Sequence, residues 1–591
     1  MHPFYGPQGR RAIAPEIHAL IVRRTASLPV CGFAEIVDRG GARCGSDRMA
    51  GFMEMADHRE WLLPIDAHEG LTWRTECVPE TTLGKIALVL SIGFGNGSPL
   101  PQPTGCWDLF VNDRFALSVR TVNHDQLWLE GSCALAFSAN RIECATPYQS
   151  MTLSSLIDQE SMAAFGPACL TVPTCWLQMG QPAVIRVEPR SDVPSSRWIQ
   201  LAPPGALLRT ADIYRIVDML SGEARPRAGA YQIYFGDIHT HSGQVLEACM
   251  NKGCGRGTRA ENYAYARGAG GLDFYALTDH EWQVDPDKID AYLSLADHYE
   301  QEGRFICLPG FEHTDLLHGH RNVYFRDSGG TVFNTHREWG RPTLEPAMCH
   351  TPRDLWTAME RTGVPFLTVP HHPSAASHPL NLDFHDPRYD RLYEVYSCWG
   401  SSAYYGDCPR GVSDRLRTGD LHDALRRGQR YGITASSDGH DGHPGNAQSP
   451  LVKHHHLFHF CGSGRAAVLT HGLTRDEVFD ALYARRCYAT TGPPIVLHVT
   501  LNGAPMGSEL APLEDGAKPR LEITCRGTNG LAEIRILKNA LVVQTTLCHG
   551  RFEAEIEWED PDYRPGSSAS YYVRMVQKDR ESAWSSPNWV G

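Results

Sequence analysis

The stretch Tyr234-Phe235-Gly236-Asp237-Ile238-His239-Thr240-His241-Ser242 is a short apolar run that ends in two histidines one residue apart. Alternate side chains of a strand share a face, so His239 and His241 point the same way. Two imidazoles on one face at a strand's end can grip one metal ion. Alone, such a pair reads as readily as two ordinary histidines at a strand–loop junction. This pair is not alone. Thr278-Asp279-His280, Pro309-Gly310-Phe311-Glu312 and Pro370-His371-His372-Pro373 each close a strand-like run, as does Ser437-Asp438-Gly439-His440, while His318 and His320 stand at the entry to another. The chain holds 28 histidines, and more than half lie between His239 and His443, which places the chemistry in the middle third.

These groups need elements to position them, and from Tyr231 onward strands and helices alternate. Strands are expected at 272–277, 305–308, 322–325, 364–369, 391–396, 431–436 and 487–490. Helices are expected between them: one capped by Thr258 and running to Arg267, then 287–301, 352–361 and 414–427. The last starts at Thr474-Arg475-Asp476-Glu477, which has the form of a capping box, and runs through Arg486. Repeated strand–helix units suggest parallel strands, and a closed ring of them is a TIM-like barrel with its reactive residues at the C-terminal strand ends. Charged groups converging at such ends need partners, and metal ions are the natural ones.

On either side the texture is β. Residues 1–225 carry short apolar or alternating segments such as Lys85–Leu90 and Trp107–Asn112, separated by Gly, Pro, Asn and Ser clusters, and read as an N-terminal β-sandwich-like domain. Gly222–Ala230 reads as a linker. In residues 493–591, Ile495, Leu497, Val499 and Leu501 alternate before an Asn502-Gly503 turn, the start of a C-terminal β-sandwich. The β-domains suit ligand binding, a structural role or a homo-oligomer contact.

At 591 residues the chain needs several cores, and 42% hydrophobic with 21% charged residues is the balance of a soluble globular protein. A net charge of -13 argues against a broad nucleic-acid interface. The longest apolar run, Ile86–Phe94, is too short to span a bilayer, and residues 1–11 lack the apolar region of an export signal, so a cytoplasmic location is expected. The 18 cysteines stand singly, with no Cys-x-x-Cys, and read as reduced thiols. Cys249 and Cys254 form the closest pair, but with no second pair nearby a zinc–cysteine site is not expected there.

Gly-Asp-Ile-His-Thr-His, Leu-Thr-Asp-His, Pro-Gly-Phe-Glu, the His-Pro turn and Ser-Asp-Gly-His occur in the order found in the PHP superfamily (polymerase and histidinol phosphatase), which residues 231–492 resemble. Gly319–Val323, Arg485–Gly492 and Ala583–Pro587 resemble a branch that flanks the barrel with β-domains. The resemblance implies a distorted (β/α)7 barrel holding two or three divalent ions. His239, His241, Glu312 and Asp438 would hold one ion. Glu312 would bridge to a second, held also by His320 and by His371 or His372, and His280 and His440 would hold a third. Imidazole and carboxylate ligands suit Zn, Mn or Fe. Family members often complete the third site from a Ser-Asp-Gly soon after His-x-His; here only Glu247 stands in that stretch.

The implied reaction is hydrolysis of a phosphate mono- or diester by a metal-bridged hydroxide, with His440 or a nearby histidine protonating the leaving oxygen. Arg321 reads as a phosphate clamp or as the partner of a site carboxylate. His313, His318 and His443 read as supporting or solvent groups, the run His454–His456 as a solvated loop, and Tyr396 and Trp399 as pocket lining or packing. The alternatives are an amidohydrolase-like cleavage of C–N or C–O bonds and a glycan-binding protein with an inert barrel. The expected partner is a small-molecule or glycan-linked phosphate ester.

Overall fold

The computed structural model describes residues 30–31, 33–37, 63–65, 71–81, 84–95, 106–120, 126–130, 132–137, 143–145, 150–152, 164–189 and 198–202. From residue 227 it describes all but 244–252, 256–257, 268–271, 336–348, 376–377, 408–417, 441, 443, 446–463, 515, 528–529 and 579–580. The chain forms two compact units, Met1–Ile142 with Leu153–Ala224, and Glu143–Thr152 with Arg225–Gly591. The first unit is built of a seven-stranded sheet around Lys85–Gly95 and Ala164–Pro173 and a five-stranded sheet around Pro182–Pro189 and Cys106–Val111. Its strands bury alternate residues, Trp107, Leu109 and Val111 on one, Ile185 and Val187 on its neighbour, as period-2 patterning requires.

The second unit carries the histidines. Its site strands are β1 (Tyr231–Asp237), β2 (Phe274–Tyr275), β3 (Ile306–Cys307), β4 (Gly310–His313), β5 (Arg321–Phe325), β6 (Phe366–Pro370), β7 (Leu392–Ser397) and β8 (Gly432–Ala435). They are followed by β9 (Arg465–Thr470) and β10 (Cys487–Thr490). β1, β2 and β3 are parallel, as are β7 and β8. Parallel bridges join one sheet to the next: Thr240–Gly439 and His280–Glu312 at C-terminal strand ends, and Thr368 within β6 to Asp390 just before β7. Every residue of β2 to β8 is buried, which explains why these strands read as continuous apolar runs. Gly236 is required where β1 meets β2, since a Cβ there would lie 2.4 Å from the Phe274 carbonyl oxygen.

The regular strand–helix alternation of a (β/α)7 barrel is not what these elements describe. The unit is mixed α/β and rich in sheet. β5 runs antiparallel to both β4 and β6. The reason is the link from β4 to β5, residues 314–320, which carries no helix; a parallel return needs a crossover of a dozen residues or more. The helix expected over 287–301 breaks into a 3-10 turn and two short helices, Ile289–Leu293 and Leu295–Tyr299. Within 414–427 the described helix is Leu421–Arg426. Helix α1 (Arg259–Arg267) is capped as expected, with the Glu261 carboxylate accepting from the Thr258 amide at 2.7 Å and Thr258 Oγ1 accepting from the Glu261 amide at 3.1 Å. In helix α2 (Arg475–Tyr483) only half the capping box forms: Thr474 caps the Glu477 amide, but the Glu477 carboxylate is taken by the Gly472 amide.

β1, β9 and β10 continue through Ser582–Ser585 and Ala569–Gln577 into one 12-stranded sheet. One core holds Ile233, Phe235, Leu469 and Tyr488 together with Leu497, Ile523, Ile536 and Val573. Sheet and core therefore run without a break across residues 492 and 493. Among the described residues no helix is long and apolar enough to cross a membrane.

Candidate metal centre

β1 ends at Asp237, which is wholly buried and staples the strand to the chain after β8. Its Oδ1 accepts from the Ser437 amide at 2.9 Å and its Oδ2 from the Gly445 amide at 2.6 Å. Ser437 Oγ donates back to the His239 carbonyl at 3.0 Å, and the His241 amide donates to the Gly439 carbonyl at 2.9 Å. These bonds set His239, His241 and Asp438 side by side.

The geometry they produce is specific. His239 Nε2 lies 3.3 Å from His241 Nε2, from Glu312 Oε2 and from Asp438 Oδ1. His241 Nε2 lies 3.0 Å from Glu312 Oε2 and 3.3 Å from Asp438 Oδ1. Ligands held about 2.0–2.1 Å from one tetrahedral cation stand about 3.3–3.4 Å apart. Five of the six separations among these four donor atoms are thus close to the edge a tetrahedral cation demands. His239 is oriented from behind: its Nδ1 donates to Glu394 Oε2 at 3.0 Å, which leaves Nε2 with its lone pair toward the group. Glu394 also accepts from Ser436 Oγ.

Glu312 turns its other oxygen to a second group. Oε1 is 3.1 Å from His371 Nε2 and 2.6 Å from His320 Nδ1. The donor atoms of Glu312, His320, His371 and His372 all lie within 4.8 Å of one another. His371 and His372 both take part, although neighbours on a strand point to opposite faces. β6 has ended at Pro370, and His372 has φ +30°, so the alternation no longer applies. Asp438 is likewise left-handed, at φ +49°. Two non-glycine residues held in that region beside one cluster mark backbone strain stored at a site.

A third group holds His241, Cys254, His280 and His440, again within 4.8 Å. Thr314 Oγ1 donates to Glu281 Oε2 at 2.8 Å and so accepts from His280 Nδ1 at 2.7 Å, which fixes the tautomer with Nε2 open. His440 is fixed the same way, its Nδ1 donating to the Asp438 carbonyl at 2.9 Å.

The electrostatics follow from burial and crowding. Burial pushes Glu312 and Asp438 up, yet the imidazoles around them, His280 and His371 for the first and His239 for the second, hold both well below the usual carboxylate range. Burial pulls His239 down, but Asp438 and Glu394 outweigh it and push it up to about 10. His440, buried beside His241, falls to about 3. Meanwhile Nε2 of His320 and the Nδ1 atoms of His241, His371 and His372 are buried with no hydrogen-bond partner among the described residues. Orphaned buried nitrogens cost about 1–3 kcal/mol each. Divalent cations fit this donor set, which is imidazole and carboxylate with one thiol.

Of the residues expected from the sequence, His239, His241, His280, Glu312, His320, His371, His372, Asp438 and His440 come together. Glu247, His443 and His454–His456 lie outside the described residues. Arg321 is a correction. Its guanidinium is fully buried, with Nε 3.3 Å from Asp390 Oδ1, Nη1 donating to the His318 and Gly319 carbonyls at 3.3 and 3.1 Å, and Nη2 to the Phe384 carbonyl at 3.1 Å. Its carboxylate partner is Asp390, outside the metal groups. His318 bonds Asp315 at 2.9 Å and meets the Phe384 ring edge-on, and Tyr396 packs on Trp584. Trp399 lies against the His372 ring at 4.8 Å.

Three residues escaped the sequence reading. Glu394 could have been found as the one charge inside the apolar run Leu392–Tyr396. Cys254 was read only against Cys249, and nothing in the sequence pointed to histidine neighbours. His378, whose ring stacks 4.3 Å from that of His320, gave no signal beyond being a histidine.

A model of a family described as protein of unknown function (DUF3604) matches residues 432–503. An uncharacterized protein of Chlamydia pneumoniae is 27% identical over 394 residues, which are 61% of this chain and 58% of that protein. One from Chlamydia trachomatis is 27% identical over 396 residues, 61% and 57% of the two chains. The chain therefore spans less than two thirds of the length of these relatives. Among solved structures, it is similar to a "two-domain protein containing predicted PHP-like metal-dependent phosphoesterase" from Bacteroides vulgatus, at 12% identity and a TM-score of 0.31, over 62% of this chain and 97% of that one.

Proposed function

We propose that this chain is a metal-dependent hydrolase, and that it cleaves phosphate mono- or diesters. The observation that carries the reading is the close set of donor atoms from His239, His241, Glu312 and Asp438, with Glu312 turning its second oxygen to His320 and His371. A carboxylate shared in this way suits two adjacent cations. The three bridges that join one sheet to the next support reading β1 to β8 as a distorted barrel with the ligands at one rim. Ordered PHP-like motifs over residues 231–492 point to phosphate esters among the electrophiles such a site can serve.

Cations bound there would acidify a water and offset the charge that develops on phosphoryl oxygens. The chain's own part is to hold the geometry. Glu394 keeps His239 in the tautomer that opens Nε2, Thr314 does so for His280, and the Asp438 carbonyl does so for His440. An inert, glycan-binding barrel gives no reason for buried, unpartnered imidazoles to converge.

The test is a panel of phosphate monoesters, diesters, amides and lactones, assayed with Mn or Zn beside a His239→Ala control. Turnover of a phosphate ester that the control lacks is expected. Turnover of amides or lactones alone would replace the reaction class, and no turnover by a fully metal-loaded chain would overturn the enzyme reading.

A further inference from the structure

Cys254 lies in a segment pressed onto the residues that follow His239. The Gly253 amide donates to the Gly243 carbonyl at 2.9 Å, and the Gly255 amide to the Ser242 carbonyl at 3.1 Å. Neither glycine tolerates a side chain. A Cβ at Gly255 would fall 2.1 Å from the His241 carbonyl oxygen, and one at Gly253 would fall 2.6 Å from that of Ser242. The Gly-Cys-Gly run is thus the form that lets a thiol reach this depth. It places Sγ in one group with His241, His280 and His440, their donor atoms within 4.8 Å of one another.

The same group holds independent signs of a missing ligand. His241 is 1% exposed, and its Nδ1 has no hydrogen-bond partner among the described residues. Its ring is sandwiched between those of His280 and His440, at 4.6 and 4.3 Å. His280 and His440 have each committed Nδ1, so both present Nε2 as an acceptor with no proton to donate. Stacked imidazoles with open lone pairs beside a half-buried thiol are poorly placed as a hydrogen-bonded cluster and well placed as ligands. The thiol now donates to Gln283 Oε1 at 3.0 Å, a bond a thiolate would give up.

We propose that Cys254 supplies the thiolate ligand of a third cation site, together with His280 and His440 beside His241. This rests on the metal-centre reading above and deepens it. It gives the third site a protein ligand among residues the structure describes, and it removes His440 from the role of proton donor. A thiolate with two imidazoles favours zinc or iron over manganese or magnesium, so the third site would differ in metal preference from the carboxylate-bridged pair.

The experiment loads the full-length protein with zinc and records the X-ray absorption edge, with Co(II) loading and the near-ultraviolet thiolate band as a second readout. Cys254→Ser and Cys254→Ala are run alongside, with thermal melts to show that they fold. The expected result is a sulfur scatterer about 2.3 Å from zinc in the parent protein, lost in both variants together with about one ion per chain. Bound zinc with only nitrogen and oxygen scatterers would overturn this inference and leave the carboxylate-bridged pair standing. A sulfur signal that survives in Cys254→Ser would assign it to another cysteine and overturn it equally. Failure to bind any cation would sink both readings.

Discussion

His239 Nε2 and His241 Nε2 face each other across 3.3 Å, with carboxylate oxygens of Glu312 and Asp438 closing the same small volume. Two lone pairs cannot share that space unless a proton or a cation lies between them. The metal-free chain uses protons there, and the loaded chain would use a cation.

That exchange predicts a pH dependence. His239 is pushed from 6.5 up to about 10, with burial opposing and the Asp438 and Glu394 carboxylates prevailing. A raised histidine contributes stability that is fully present below pH 6.5 and is lost as pH rises through about 10. A cation must expel that proton, so apparent affinity should rise by about tenfold per pH unit for each proton released between pH 7 and 9. Calorimetry in buffers of different ionisation enthalpy measures the release. Affinity that is flat with pH would contradict it.

Glu394 touches no cation in this account and acts by holding His239. Glu394→Gln is expected to keep the fold and lower metal affinity by about 10–100-fold. Unchanged affinity would show that His239 needs no such support.

Arg321→Ala should behave as a folding defect. It leaves Asp390 buried without its partner, and breaking such a pair costs about 3–5 kcal/mol. Denaturant unfolding should show that loss, while KM for any phosphate ester is unchanged in the folded fraction. A raised KM with full stability would restore the phosphate clamp.

Gly236→Ala brings a Cβ to 2.4 Å from the Phe274 carbonyl oxygen and forces β1 from β2. Overpacking of this kind costs about 1–3 kcal/mol. Since β1 carries His239 and His241, metal content should fall with stability; a silent substitution would mean the strands tolerate separation.

The metal groups were legible because most of their ligands close an apolar run, and strand ends can be read from residue patterns. Reading the topology was harder. β5 looks like any other strand in the sequence; only the helix-free link of residues 314–320 betrays its reversal. The choice between His371 and His372 could not be made from strand alternation, because φ +30° at His372 ends that rule where it was needed. Arg321 misled through its neighbour: adjacency to His320 suggested a shared site, while its guanidinium is turned to Asp390. Cys254 was paired in the sequence with Cys249 and discounted for want of a second cysteine pair, although its actual neighbours are His241, His280 and His440.

Metal analysis of the purified full-length protein, with His239→Ala and Glu312→Ala beside it, tests the central claim most directly. The close His239–His241–Asp438 donor set and the shared Glu312 carboxylate predict two or more tightly bound divalent ions per chain, with most of them lost in Glu312→Ala because both groups lose a ligand at once. Less than one ion per chain, with the two variants indistinguishable from the parent protein, would contradict it.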